Sequence, residues 1–171
     1  LYNALTRRHT VKPLTERFSD ISMEDAYHIS LRMVERRVQA GAKIIGKKIG
    51  VTSKAVQNML NVHQPDFGYL THDMAYSQGE EMPISQKLMQ PKAVDLSTCG
   101  MVVEKNGHII STGAGAAALG SPVNCVTWLA NTLGQFGIPL KAGEVILSGS
   151  LVPLEPVKAG DFMSVSIGGM G

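Results

Sequence analysis

The sequence predicts an α+β fold, a strand-rich mixed β architecture with a few helices and most of its strands in the C-terminal half. Three observations lead there. Asn106-Gly107 stands between two apolar runs, the signature of a two-residue hairpin whose central positions both need positive φ. Two stretches, opened by Ser22 and by Ser121-Pro122, repeat apolar residues at helical spacing behind N-cap residues. Val145-Ile146-Leu147-Ser148 reads as a buried strand, and Phe162 to Ile167 alternates as a last one.

The elements follow in order. Residues 1–20 are polar and aperiodic, and Lys12-Pro13-Leu14 disfavours helix around the proline. Ser22-Met23-Glu24-Asp25 has capping-box form, with Asp as the reciprocal group. Tyr27, Leu31, Val34 and Val38 line one helix face, Arg32, Arg36 and Arg37 a solvated one, and Gly41 is the natural stop. Lys43 to Val51 is a short strand interrupted by two lysines and two glycines. Thr52-Ser53 caps a short helix with Val56, Met59 and Leu60 on one face, and Gln64-Pro65-Asp66-Phe67-Gly68 breaks it in a tight turn. Residues 69–93 are mixed, with Gly79-Glu80-Glu81 as a loop. After the hairpin, Gly113 to Gly120 forms a glycine/alanine connection. The helix opened by Ser121-Pro122 carries Val126, Leu129, Ala130 and Leu133 and ends by Gly137.

Composition narrows the function classes. A net charge of +2 on 171 residues offers no field for nucleic acid or a membrane surface. Apolar runs fall short of the roughly 18 residues a membrane span needs. Two cysteines, Cys99 and Cys125, are too few for a disulfide framework or a zinc site, which makes a reduced cytoplasm the default compartment. The chain opens on Leu1 and stops at Gly171 just past the last strand, so both ends read as trimmed.

Several chemical motifs fail on context. Gly113-Ala114-Gly115 follows a strand, but that strand is the second arm of a hairpin, and no acidic residue stands near twenty positions on to hold a ribose. Close packing of small residues is the simpler reading. The five histidines never pair at metal-ligand spacing on one helix, and no Gly-x-Ser-x-Gly elbow occurs. Lys48 and Asp66 stand out. Alternation sends Lys47 and Lys48 to opposite faces, so one of the two faces inward, where an ammonium needs partners. Gly50 and the Thr52-Ser53 helix start would add backbone N–H groups beside it.

At these residues the chain resembles a family. Gly46-x-Lys48-Ile-Gly50-Val-Thr52-Ser53, Gln64-Pro65-Asp66-Phe67-Gly68, Gly115 through Leu119-Gly120-Ser121-Pro122 before Trp128-Leu129-Ala130, and Gly143 through Ser148-Gly149 resemble the 2-oxopent-4-enoate (2-hydroxypenta-2,4-dienoate) hydratases of the fumarylacetoacetate hydrolase superfamily. The likeness runs in order over nearly the whole chain. The related 4-oxalocrotonate decarboxylases share the lysine and Leu-Gly-x-Pro segments, and the Pro65-Asp66-Phe67-Gly68 segment favours the hydratase branch.

The resemblance implies a hydro-lyase of aromatic meta-cleavage catabolism that gives 4-hydroxy-2-oxopentanoate. Its cofactor would be Mg²⁺ or Mn²⁺. Lys48 would hold an oxyanion or the substrate carboxylate, and Asp66 would carry a proton or orient water. Phe67, Gly68, Ser148 and Gly149 would line the substrate. A cytoplasmic homo-oligomer is implied, with a complex with 4-oxalocrotonate decarboxylase as a further partner.

One departure is large. The family's metal-binding glutamates follow a segment like Gln90-Pro91-Lys92-Ala93, yet here that segment runs directly into Val94-Asp95-Leu96. Two accounts remain. A segment is missing between 93 and 94 of a single hydratase/decarboxylase-family domain spanning 1–171, or the ligands are deleted and the chain is a non-catalytic partner subunit.

Overall fold

Helix formation starts where the capping chemistry puts it. In the computed structural model, which describes residues 1–7, 9–75 and 95–169, Ser22 Oγ accepts from the Asp25 N–H and Asp25 accepts from the Ser22 N–H. This completes the capping box of helix α3 (Met23–Gln39), which gives way at Gly41, φ +101°. Two short helices precede it, α1 (Tyr2–Thr6) and α2 (Leu14–Arg17), against the expectation of an aperiodic N-terminus. The proline rule restricts the residue before Pro13, whereas Pro13 itself sits at the N-cap of α2, where its missing N–H costs nothing.

Strand β1 (Ile44–Gly50) is the centre of the first sheet, order β2-β1-β5. It pairs antiparallel with β2 (Asp66–Thr71) and parallel with β5 (Val145–Leu147). Between β1 and β2 lies helix α4 (Lys54–Leu60), N-capped by the Ser53 side chain and closed by Asn61 at φ +52°. Two expectations are corrected here. Asp66-Phe67-Gly68 begins a strand rather than forming a turn, because Asp66 and Gly68 register against Gly50 and Lys48. The inner face of α4 is Val56 and Gln57, while Met59 and Leu60 are exposed.

The second sheet, order β4-β3-β6, is the predicted hairpin of β3 (Gly100–Lys105) and β4 (His108–Ala114), with β6 (Met163–Ile167) on the other side of β3. Asn106 and Gly107 both have positive φ, 54° and 80°, as the two-residue turn requires. Gly113 and Gly115 serve packing, as expected. A Cβ on Gly113 would lie 2.9 Å from the Leu151 carbonyl carbon, and one on Gly115 2.7 Å from that of Leu96.

Ser121 caps α5 (Pro122–Gln135), with Pro122 in its first turn. Cys125, Leu129 and Leu133, four residues apart, are fully buried against Ile49, Phe67 and Ala118. This is the core, and each such leucine contributes about 1.5–3 kcal/mol relative to exposure. Tyr27 of α3 joins it by stacking on Phe67, ring centroids 4.4 Å apart. Helix α5 thus covers one face of β1 and β2 and leaves the other face to the site.

Candidate active site

Alternation along β1 decides which lysine is buried. Lys47 and Ile49 point into the protein, at 2% and 1% exposure, and Lys48 and Gly50 take the other face. The inward ammonium is therefore Lys47. Its Nζ is clasped by both carboxylate oxygens of Glu144, immediately before β5, and Glu144 also accepts from the Lys141 N–H at 2.8 Å. Burial alone would raise the Glu144 pKa, but the Lys47 hydrogen bond, the Lys141 N–H and both ammonium charges outweigh it and hold the carboxyl below its ordinary value. Lys47 is a satisfied structural cation.

Lys48 is half-exposed, and its Nζ lies 3.7 Å from Asp66 Oδ1. The meeting is set by register. Lys48 pairs with Gly68 and Gly50 with Asp66, so the lysine stem crosses Gly68 and its head reaches over Gly50. A Cβ on Gly68 would sit 3.3 Å from Lys48 Cγ. A Cβ on Gly50 would sit 2.8 Å from Lys48 Nζ and closer still to Asp66 Oδ1. Two glycines thus form the floor beneath an ammonium and a carboxylate. Asp66 Oδ1 is buried and has no hydrogen-bond partner among the described residues, a spare acceptor beside a cation.

The third side comes from β5. Leu147 pairs with Lys48, so the half-buried Ser148 and Gly149 continue the strand past that pair. Gly149 adopts φ +99° and lies directly on Thr52, where a Cβ would fall 3.0 Å from Thr52 Cβ. The predicted residues Lys48, Asp66 and Gly68 come together on one face, with Ser148 and Gly149 at the adjoining strand end. Phe67 does not join them. Its side chain faces the core at 7% exposure. Its ring instead seats Tyr27, whose phenol is pushed up by burial and then by the Asp66 carboxylate.

Two further residues shape the corner behind the site. Thr52 supports Gly149, and Val51 makes the corner between β1 and α4 in the left-handed region, φ +56°. For a β-branched residue such a conformation costs about 1–3 kcal/mol, and it persists where surrounding structure fixes it.

Among the described residues, no three His, Cys, Asp or Glu side chains converge to hold a metal ion. Asp66 offers one carboxylate, and Asp95 caps its own turn by accepting from the Ser97 N–H at 3.0 Å. Hard divalent cations take six or more oxygen ligands, so these residues do not by themselves fit one. Glu80, Glu81 and the 93/94 junction lie outside the described residues. No helix among the described residues is long and apolar enough to cross a membrane.

The chain is similar to several known proteins. A 2-hydroxypent-2,4-dienoate hydratase of Pseudomonas putida is 50% identical, over 81% of this chain and 94% of the relative. A 2-hydroxyhexa-2,4-dienoate hydratase of Comamonas testosteroni is 39% identical, over 100% of this chain and 92% of the relative. Among solved structures, the 4-oxalocrotonate decarboxylase from Pseudomonas putida G7 matches with a TM-score of 0.85 and 26% identity, over 99% of this chain and 91% of the other. That decarboxylase has been seen complexed with calcium and acetate and with magnesium and adipate. The fumarylacetoacetate (FAA) hydrolase C-terminal family matches residues 51–171, which take in β2, both arms of the hairpin, α5 and the Ser148-Gly149 strand end. With most of the chain inside that match, the protein belongs to the fumarylacetoacetate hydrolase C-terminal family.

Proposed function

We propose that this protein is a hydro-lyase that adds water to 2-hydroxypenta-2,4-dienoate, giving 4-hydroxy-2-oxopentanoate in the meta-cleavage degradation of aromatics. The observation that carries the reading is the meeting of Lys48 and Asp66 over Gly50, with one carboxylate oxygen buried and unpartnered among the described residues. Relatives at 50% and 39% identity bear hydratase names for five- and six-carbon dienoates.

The residues suit the chemistry. The substrate's enol must lose its O–H proton and gain one at the terminal carbon, which leaves a conjugated 2-oxo-3-enoate. Water then bonds to C4, and the proton it sheds balances the one gained at C3. Negative charge collects on the 2-oxygen in both steps. The Lys48 ammonium is placed to hold that oxygen or the adjacent carboxylate. Asp66 accepts a proton from the enol or the water and returns it to carbon. Gly50 and Gly68 keep the floor low enough for a planar dienoate to lie against the sheet, with Ser148 and Gly149 along its edge.

A divalent cation, Mg²⁺ or Mn²⁺, belongs to the proposal as the group that would stabilise the enolate. Its ligands would have to be supplied by residues other than those described. Alignment length supports an absent segment: the Comamonas relative aligns over 243 positions against the 171 residues here, so more than seventy of its residues have no counterpart in this chain. The natural protein is then longer, and its intact mass lies well above 18.3 kDa; a mass of 18.3 kDa would overturn the missing-segment account. A cytoplasmic homo-oligomer, with 4-oxalocrotonate decarboxylase as partner, completes the reading.

The test is turnover of 2-hydroxypenta-2,4-dienoate with Mg²⁺, followed by loss of the dienol absorbance and by product mass. Asp66→Asn keeps the shape and removes the base, and its kcat falls by about 10²–10⁴ with KM little changed. An Asp66→Asn rate within tenfold of wild type removes Asp66 from the chemistry. The decarboxylase likeness favours a second reaction on the same scaffold, and release of carbon dioxide from a six-carbon 2-oxo diacid identifies it.

A further inference from the structure

We infer that Gln57 is a positioning residue of this site: its side-chain amide holds Val51 in the left-handed conformation that sets the Gly50–Thr52 corner beneath Lys48, Asp66 and Gly149. The inference rests on the site and reaction proposed above and adds a residue to them.

Gln57 sits on α4, a helix otherwise built from a short apolar face, and is 3% exposed. A buried amide is retained only where both ends are paired. Here they are. Gln57 Nε2 donates to the Val51 carbonyl at 3.0 Å, and Gln57 Oε1 accepts from Lys54 Nζ at 3.0 Å. The carbonyl it takes belongs to a β-branched residue at φ +56°, a place that glycine or asparagine fills without strain.

That corner connects the parts of the site. On one side Gly50 is the floor under the Lys48 ammonium and the Asp66 carboxylate. On the other, Thr52 supports Gly149, and Ser53 caps α4 by accepting from the Val56 N–H. If Val51 relaxed to an extended conformation, Gly50 and Thr52 would rotate relative to each other. The Lys48–Asp66 pair would then lose its alignment with the Ser148-Gly149 strand end. Gln57 touches no substrate; it fixes the corner from behind.

The experiment pairs two changes in the full-length enzyme. Gln57→Glu is nearly isosteric, keeps an acceptor for Lys54 and loses the donor to Val51. Its kcat falls between about ten- and a hundredfold, the scale expected when groups shift by an ångström, while KM stays within about twofold. Val51→Gly adopts positive φ freely, and in the Val51→Gly/Gln57→Glu double variant kcat returns to near wild type. A purely structural role would not give recovery by a glycine, which by itself loosens the chain. Wild-type kcat in Gln57→Glu, or no recovery in the double variant, overturns the inference.

The proposed reaction can fail separately. If the wild-type protein does not hydrate the dienoate, positioning is read from the Gly50 and Gly149 amide resonances. These move in Gln57→Glu and return in the double variant. Resonances that stay fixed overturn the inference on their own.

Discussion

Lys48→Ala abolishes useful turnover and leaves the fold intact: kcat falls by about 10²–10³, the cost typical of losing one donor to a developing oxyanion. The melting temperature changes little. The reason lies in the location of the ammonium. At 42% side-chain exposure and 3.7 Å from Asp66, it forms a pair already in contact with water, and such pairs contribute at most about 1 kcal/mol. Its aliphatic stem covers Gly68, so Lys48→Met is the stricter version, keeping the packing and losing the charge. Steady-state kinetics with thermal melts decide the matter. A rate within threefold of wild type in Lys48→Met would exclude the ammonium from catalysis.

Its neighbour behaves in the opposite way. Lys47→Met leaves Glu144 at the core margin without its cation and costs about 3–5 kcal/mol, a large part of the stability of a domain this size. Lys48 and Asp66 are untouched, so whatever fraction folds keeps a wild-type kcat. Replacing both partners, Lys47→Met with Glu144→Leu, recovers most of the loss, because an apolar pair leaves no buried charge. Urea unfolding of the single and double variants measures this directly. A double variant as unstable as the single one would mean that the lysine stem, rather than the ion pair, matters.

The same pair shapes the acid limb of stability. The folded-state pKa of Glu144 lies below its ordinary 4.5, so the unfolded chain takes up the proton first as pH falls. The pair's contribution is complete above that value and is lost as pH drops through the depressed one. The double variant therefore shows a flatter decline in urea midpoint below about pH 4.5 than wild type. Equal slopes would assign the decline to other carboxylates, such as Asp25 and Asp73, whose pKa values are also lowered.

Local chemistry explains what was legible in the sequence. Ser22 with Asp25, Asn106-Gly107 and Ser121-Pro122 each specify a structure within four residues, and each formed as expected. Lys48, Asp66 and Gly68 lie together on one face of the sheet. Nonlocal partners account for the rest. Alternation separates Lys47 from Lys48 and puts Lys47 on the face of buried Ile49, but its partner Glu144 is 97 positions away in this sequence. Asp66 to Gly68 looked like a turn because proline and glycine flank the aspartate. Pairing with β1 made them a strand. Gln57 was overlooked because a polar residue on a short helix normally faces water. The strained carbonyl that buries it cannot be read from residue types.

The parallel pairing of β1 with β5 has a consequence for how the protein is made. A ribosome releases residues 44–71 long before Val145–Leu147 exists, so β1 and β2 emerge with one edge of β1 unpaired and Lys47 without its counter-ion. That pairing joins strands at least about a hundred residues apart, the slow kind of contact in folding. The face that carries Lys48 and Asp66 is therefore completed only after β5 has emerged. During that interval the nascent chain presents a glycine-rich, open-edged hairpin to the cell, and dependence on a holding chaperone should concentrate there.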